Sequence, residues 1–122
     1  MKIRIKGNSI RLRLSKSEID TFGVKGYLEE RTEFGTSALQ YALVADKNSS
    51  ELNASFTANK ITVNVPENIM QEWVETNVVG FENKMKLPND KHLFILIEKD
   101  FVCLDNTFED QSDNFPNPNA MC

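Results

Sequence analysis

Apolar and charged residues alternate from the second position onward. Lys2, Arg4 and Lys6 interleave with Ile3 and Ile5; after Gly7-Asn8-Ser9 the alternation resumes as Ile10, Leu12 and Leu14 against Arg11 and Arg13. Period two places successive side chains on opposite sheet faces, and Gly-Asn-Ser is turn chemistry, so residues 2–14 are predicted to form a β-hairpin. One face is aliphatic and the other wholly basic. Ser15-Lys16-Ser17-Glu18 then reads as a capping box, with serine at the N-cap and glutamate three residues on. It predicts a short helix carrying Ile19 and Phe22 and ending at Gly23 or Gly26. Strands around Tyr27–Phe34 and Ala38–Ala45 follow, joined by the turn residues Gly35-Thr36-Ser37.

After the polar connector Asp46-Lys47-Asn48-Ser49-Ser50 the pattern starts again. Leu52, Ala54 and Phe56 alternate, Ala58-Asn59 turns, and Ile61, Val63 and Val65 alternate. Pro66 opens a second helix at its first position, with Ile69, Met70, Trp73 and Val74, and strands around Val78–Leu87 and Leu93–Glu98 complete the set. At an offset of 51, Ile5, Asn8, Leu12, Met70's counterpart Ile19, and Phe22 fall on Phe56, Asn59, Val63, Met70 and Trp73. Beyond the helix the offset is 54: Gly26, Leu39, Leu43 and Asp46 fall on Gly80, Leu93, Ile97 and Asp100. On this reading the second helix is three residues longer, close to one turn. The expected fold is α+β: two tandem ββαββ units, 1–46 and 51–100, with pseudo-twofold symmetry. About eight mostly antiparallel strands should form a barrel or packed sheets with two helices. Each unit alone would leave an apolar sheet face bare, so the two should share one core.

Length and composition agree with one domain over residues 1–122. The chain has 122 residues, 40% hydrophobic and 26% charged, which is enough for one core and too little for two. The run LFILI at 93–97 is far too short to cross a bilayer, and the alternating start lacks the continuous apolar stretch of a secretory leader. No membrane association is expected, and the chain reads as cytoplasmic. The net charge of −4 is unevenly spread. Residues 1–14 carry five cations and no acid, whereas the extended, proline-bearing tail 101–122 carries four acids and no Lys or Arg. Within that tail Leu104, Phe108 and Phe115 are apolar anchors able to fold it back on the domain.

The segments KGNSIRLRL at 6–14 and CLDNTFEDQSDNFPNP at 103–118 resemble a small family of uncharacterised bacterial proteins. The resemblance implies a small free-standing bacterial protein and transfers no catalytic residue. Duplicated ββαββ halves also resemble, more faintly, the triphosphate tunnel enzymes, an antiparallel barrel that binds polyphosphate with inward-facing charges. That family begins with a Glu-x-Glu-x-Lys strand. Here the first strand is Lys2-Ile3-Arg4-Ile5-Lys6, without acids, and the nearest substitute is Glu29-x-Arg31-x-Glu33.

The candidate chemistry centres on Lys2, Arg4, Lys6, Arg11 and Arg13, a cation row suited to phosphate or carboxylate. The ordinary alternative is a solvated strand face balanced by Glu29, Glu30 and Glu33. The expected function is a non-enzymatic module binding an anionic ligand or protein on that row. The rival is a small enzyme for a phosphorylated or other anionic substrate, with Glu29 and Glu33 as pocket acids beside Arg4 and Arg11. An acidic chain with no aromatics interleaved among the cations argues against nucleic acid. No nucleophile elbow, P-loop or metalloprotease motif occurs, and no cofactor is expected. Two metal readings remain: His92 with Cys103 and Cys122, or Asp105, Glu109, Asp110 and Asp113. There is no Cys-x-x-Cys pair and no EF-hand spacing. Cys103 and Cys122 as free thiols, metal ligands or a disulfide stay open, as does the oligomeric state.

Overall fold

The computed structural model describes residues 1–101 together with Asp113 and Phe115. Ten elements follow one another: β1 (Lys2–Lys6), β2 (Ser9–Leu14), α1 (Lys16–Lys25), β3 (Tyr27–Glu33), β4 (Ala38–Asp46), β5 (Asn53–Thr57), β6 (Lys60–Pro66), α2 (Glu67–Glu75), β7 (Gly80–Lys86) and β8 (His92–Lys99). The capping box forms as its residues require. The Glu18 amide donates to Ser15 Oγ and the Ser15 amide to Glu18 Oε1, at 3.3 and 2.8 Å. Helix α1 runs past Gly23 and stops at Gly26, whose φ of 67° is the left-handed conformation that ends helices. Ala58 and Asn59 both take positive φ, which turns β5 into β6 in two residues.

The strands form two four-stranded mixed sheets, β1-β2-β8-β7 and β3-β4-β6-β5, and no closed barrel. Each outer pair is an antiparallel hairpin. The two central pairs, β2 with β8 and β4 with β6, are parallel. A parallel neighbour must come from elsewhere in the chain, and here it comes from the other half. Neither half owns a sheet: residues 1–46 give β1-β2 to the first and β3-β4 to the second, and residues 51–100 supply the complementary hairpins. The pairings also correspond in register. Ser9 opposite Phe94 and Leu14 opposite Lys99 fall, at the two sequence offsets, on Lys60 opposite Gln40 and Val65 opposite Ala45.

Leu12, Leu14, Ile95 and Ile97 of the first sheet, Leu43, Val63 and Val65 of the second, and Phe22 and Trp73 of the helices are fully buried in one cluster. The two rings meet edge to face, centroids 6.2 Å apart and planes at 70°. Three expectations need correction. Ile5 was expected in the core and is 57% exposed, because it lies near the hairpin tip on edge strand β1, flanked by a strand on one side only. Pro66 ends β6 as the N-cap of α2, one residue before the helix starts. The three extra residues of the second half do not lengthen its helix, since α2 has nine residues against ten in α1. They lie in the connection to β7, where Trp73 Nε1 donates to the Val79 carbonyl at 3.0 Å.

Candidate functional site: the basic face of the first sheet

Register decides what shares a face. Across the first sheet, Lys6, Ser9, Phe94 and Lys84 form one row; Arg4, Arg11, Leu96 and Glu82 the next; and Lys2, Arg13, Glu98 and Gly80 a third. His92 and Lys86 stand beside the first row. Because residues directly opposite in a sheet point the same way, all of these share the face turned away from the core. It holds seven Lys or Arg side chains against three carboxylates, Glu82, Glu98 and Asp100 just past the end of β8, with Phe94 and Leu96, both half-buried, on its central strand β8. The candidates Lys2, Arg4, Lys6, Arg11 and Arg13 are therefore brought together. Lys84, Lys86, Phe94 and Leu96 join them, unforeseen from the sequence. The period-two run Glu82-x-Lys84-x-Lys86 was visible, but nothing in it says that β7 lies in the sheet of β1.

Glu98 braces this face. It is 4% exposed, and its Oε1 lies 2.5 Å from Arg13 Nε and 3.5 Å from Arg11 Nε. The buried carboxylate accepts from Arg13 Nε and so orients that guanidinium, while Arg11 lies within ion-pair distance of the same oxygen. Lys2 Nζ reaches Asp100 at 2.9 Å. Lys6, Lys84 and Lys86 are exposed and make no ion pair with the described residues, so their charge is presented to solvent.

Glu29 and Glu33 do not join the cations. They lie on the outward face of the second sheet, in rows with Ala42 and Thr62 and with Ala38. Glu29 accepts from Lys60 Nζ at 3.1 Å, and that bond holds its carboxyl below the ordinary range, which is the wrong direction for a general acid near neutrality. Glu33 pairs with Arg31 at 3.2 Å. The concavity that an enzyme reading requires from Glu29, Glu33, Arg4 and Arg11 is not built. A shallow depression of about 310 Å³ lies between the 48–53 connection and Asn83, Met85 and Lys86. Its polar lining is engaged internally: Asn83 Nδ2 donates to the Leu52 carbonyl and Asn53 Nδ2 to Ser49 Oγ.

His92 is exposed at the start of β8, its carbonyl accepting from Asn8 Nδ2. No group of three metal-ligating side chains occurs among the described residues. Cys103, Cys122, Asp105, Glu109 and Asp110 lie outside those residues, as does the expected anchor Phe108; Asp113 is exposed. Phe115 is 97% exposed, so it supplies none of the apolar contact expected of it. No described helix is long and apolar enough to cross a membrane.

Fold and face together define an α+β domain of two interlocked mixed sheets, one of them basic on its outward side. The chain belongs to a family of unknown function, DUF7009, whose model matches residues 1–119. No curated protein and no solved structure matches it.

Proposed function

We propose that this protein is a non-enzymatic binding module that takes an anionic ligand, or an acidic segment of a protein partner, on the outward face of its first sheet. One observation carries the reading: seven cations against three carboxylates on a single sheet face of a chain whose net charge is −4. A chance distribution of charge in an acidic protein does not favour such a face, and like charges two residues apart on neighbouring strands repel one another at a cost to folding. Phe94 and Leu96 add apolar surface at the centre, which gives a ligand with hydrophobic as well as anionic groups something to cover. Strand residues on one face repeat every ~6.7 Å and neighbouring strands every ~4.8 Å. The cation lattice thus suits an extended anion with several charges better than a single small ion.

The test is fluorescence anisotropy with labelled poly-L-glutamate and labelled inorganic polyphosphate at low and high salt. Replacing Lys6, Lys84 and Lys86 together by Gln removes three exposed charges, each worth about 0.5 kcal/mol, so affinity should fall roughly tenfold. Gln at Lys16 and Lys47, off this face, should leave it unchanged. Equal losses in both variants, or no salt-sensitive binding by the parent chain, would refute the reading.

A further inference from the structure

We infer that the outer edge of β1 is a strand-addition site, taking an extended segment of a partner protein in which acidic and apolar residues alternate. The inference rests on the anion-binding reading above and names the form in which an acidic partner is held. Hydrogen bonding within the first sheet decides which backbone groups are available. The carbonyls of Asn8 and Leu14 accept from the Phe94 and Asp100 amides at 3.0 and 2.8 Å. Even-numbered residues of β2 therefore bond toward β8, and the odd-numbered ones, Ser9, Arg11 and Arg13, bond toward β1. Their partners across the hairpin are Lys6, Arg4 and Lys2. Ile3 and Ile5 lie between those pairs, so the amide and carbonyl of each point to the open side of the sheet. Neither residue makes a backbone bond beyond the hairpin among the described residues.

A segment lying along that edge meets two different surfaces. Its residues opposite Lys2, Arg4 and Lys6 stand on the outward face, with Cβ atoms about 5 Å from those of the cations. Carboxylates suit these positions. Cations do not, so the same row repels β1 of a second copy. Residues opposite Ile3 and Ile5 turn to the inner face, where Ile5 is 57% exposed for want of a neighbour on that side. An apolar side chain there covers it. Backbone bonds then supply affinity and alternate side chains supply specificity. The other edges lack this combination. On β3 the alternating Glu29, Arg31 and Glu33 include opposite charges that pair at 3.2 Å, and β5 carries no charge. The chain entering β5 screens β7: Asn83 Nδ2 donates to the Leu52 carbonyl at 2.8 Å and the Ala54 amide to Met85 Sδ at 3.3 Å.

The test is fluorescence anisotropy with a labelled Glu-Val repeat peptide and one of the same composition arranged in two blocks. The alternating peptide should bind the full chain more tightly than the blocked one. Methylating its valine nitrogens removes the donors to β1 in an antiparallel addition, and methylating its glutamate nitrogens removes them in a parallel one. One set of methyl groups should therefore lower affinity about tenfold or more, and the other should change it little. These peptides are read on the parent chain, so the test does not hang on any variant folding. Ile5→Pro deletes an edge donor that no hairpin bond uses. It should weaken the alternating peptide about tenfold relative to Ile5→Ala, which keeps the amide, and leave labelled inorganic polyphosphate, which has no peptide backbone, unaffected. Equal affinity for alternating, blocked and methylated peptides, lost on Lys6/Lys84/Lys86→Gln, overturns strand addition and leaves the anion-binding face intact. Equal binding of a Lys-Val repeat overturns the acidic partner. Binding of neither polyphosphate nor any peptide overturns both readings.

Discussion

Truncating Trp73 to Ala tests whether the two halves fold as one body. Trp73 and Phe22 are fully buried and belong to different halves, yet they pack edge to face at 6.2 Å in one cluster. Removing a buried aromatic forfeits its transfer free energy and leaves a cavity, together about 3–5 kcal/mol. Loss of the Trp73 Nε1 bond to the Val79 carbonyl adds about 1 kcal/mol. Phe22→Ala should cost about 3–4 kcal/mol. The double variant should cost less than the sum by roughly 0.5–1.5 kcal/mol, the worth of an edge-to-face pair beyond its area. At about 4 °C per kcal/mol for a domain of this size, Trp73→Ala lowers Tm by roughly 16–24 °C and Phe22→Ala by roughly 12–16 °C. Urea titrations followed by far-ultraviolet circular dichroism give the free energies, and a single transition with unchanged m-value is expected in each variant. A Trp73→Ala cost below 1 kcal/mol, or two separate transitions, would refute a shared core. Interlocked sheets leave no half able to unfold alone.

Two further predictions concern other parts of the chain. A Cβ at Gly80 would collide with the Ile97 carbonyl and crowd Glu98, so Gly80→Ala should destabilise by about 2–3 kcal/mol by thermal melting. At Gly7, with φ of 55° and nothing within 4 Å, the same change should cost about 1 kcal/mol. The second concerns the Met1 ammonium, bound by Glu18 and Glu30. Burial disfavours each charge, yet the mutual bonds outweigh it, raising the pKa of the amine and lowering that of Glu18. The amine's contribution is complete below its unfolded pKa near 8 and is lost as pH rises through the higher folded value. That of Glu18 is complete above its unfolded pKa near 4.3 and is lost as pH falls through the lower folded value. Melting between pH 3 and 10 should show both declines, and acetylating Met1 should remove the alkaline one; an unchanged alkaline limb would contradict the pairing.

Local order was legible in the residues themselves. Strict alternation marks β1, β2 and β6 because period two is a property of one strand. Ser15-x-x-Glu18 and Gly26 mark the ends of α1 because capping acts within a few residues. The pairing of Phe22 with Trp73 as core aromatics followed from their matching places in two helices. The basic character of one face of β1-β2 followed from the same alternation. Which strands lie side by side was not legible, because a parallel pairing such as Arg13 with Glu98 joins residues 85 positions apart and leaves no local trace. That pairing brought Lys84, Lys86, Phe94 and Leu96 onto the basic face, and it sent Glu29 and Glu33 to the other sheet, away from the arginines they were expected to serve. Ile5 shows the same division: alternation assigns it to the dry face, but only its place near the tip of an edge strand exposes it. Sequence determined the elements and the two faces of each, through short-range sterics and hydrogen bonding; tertiary structure alone decided which faces met, because that depends on contacts between residues far apart along the chain.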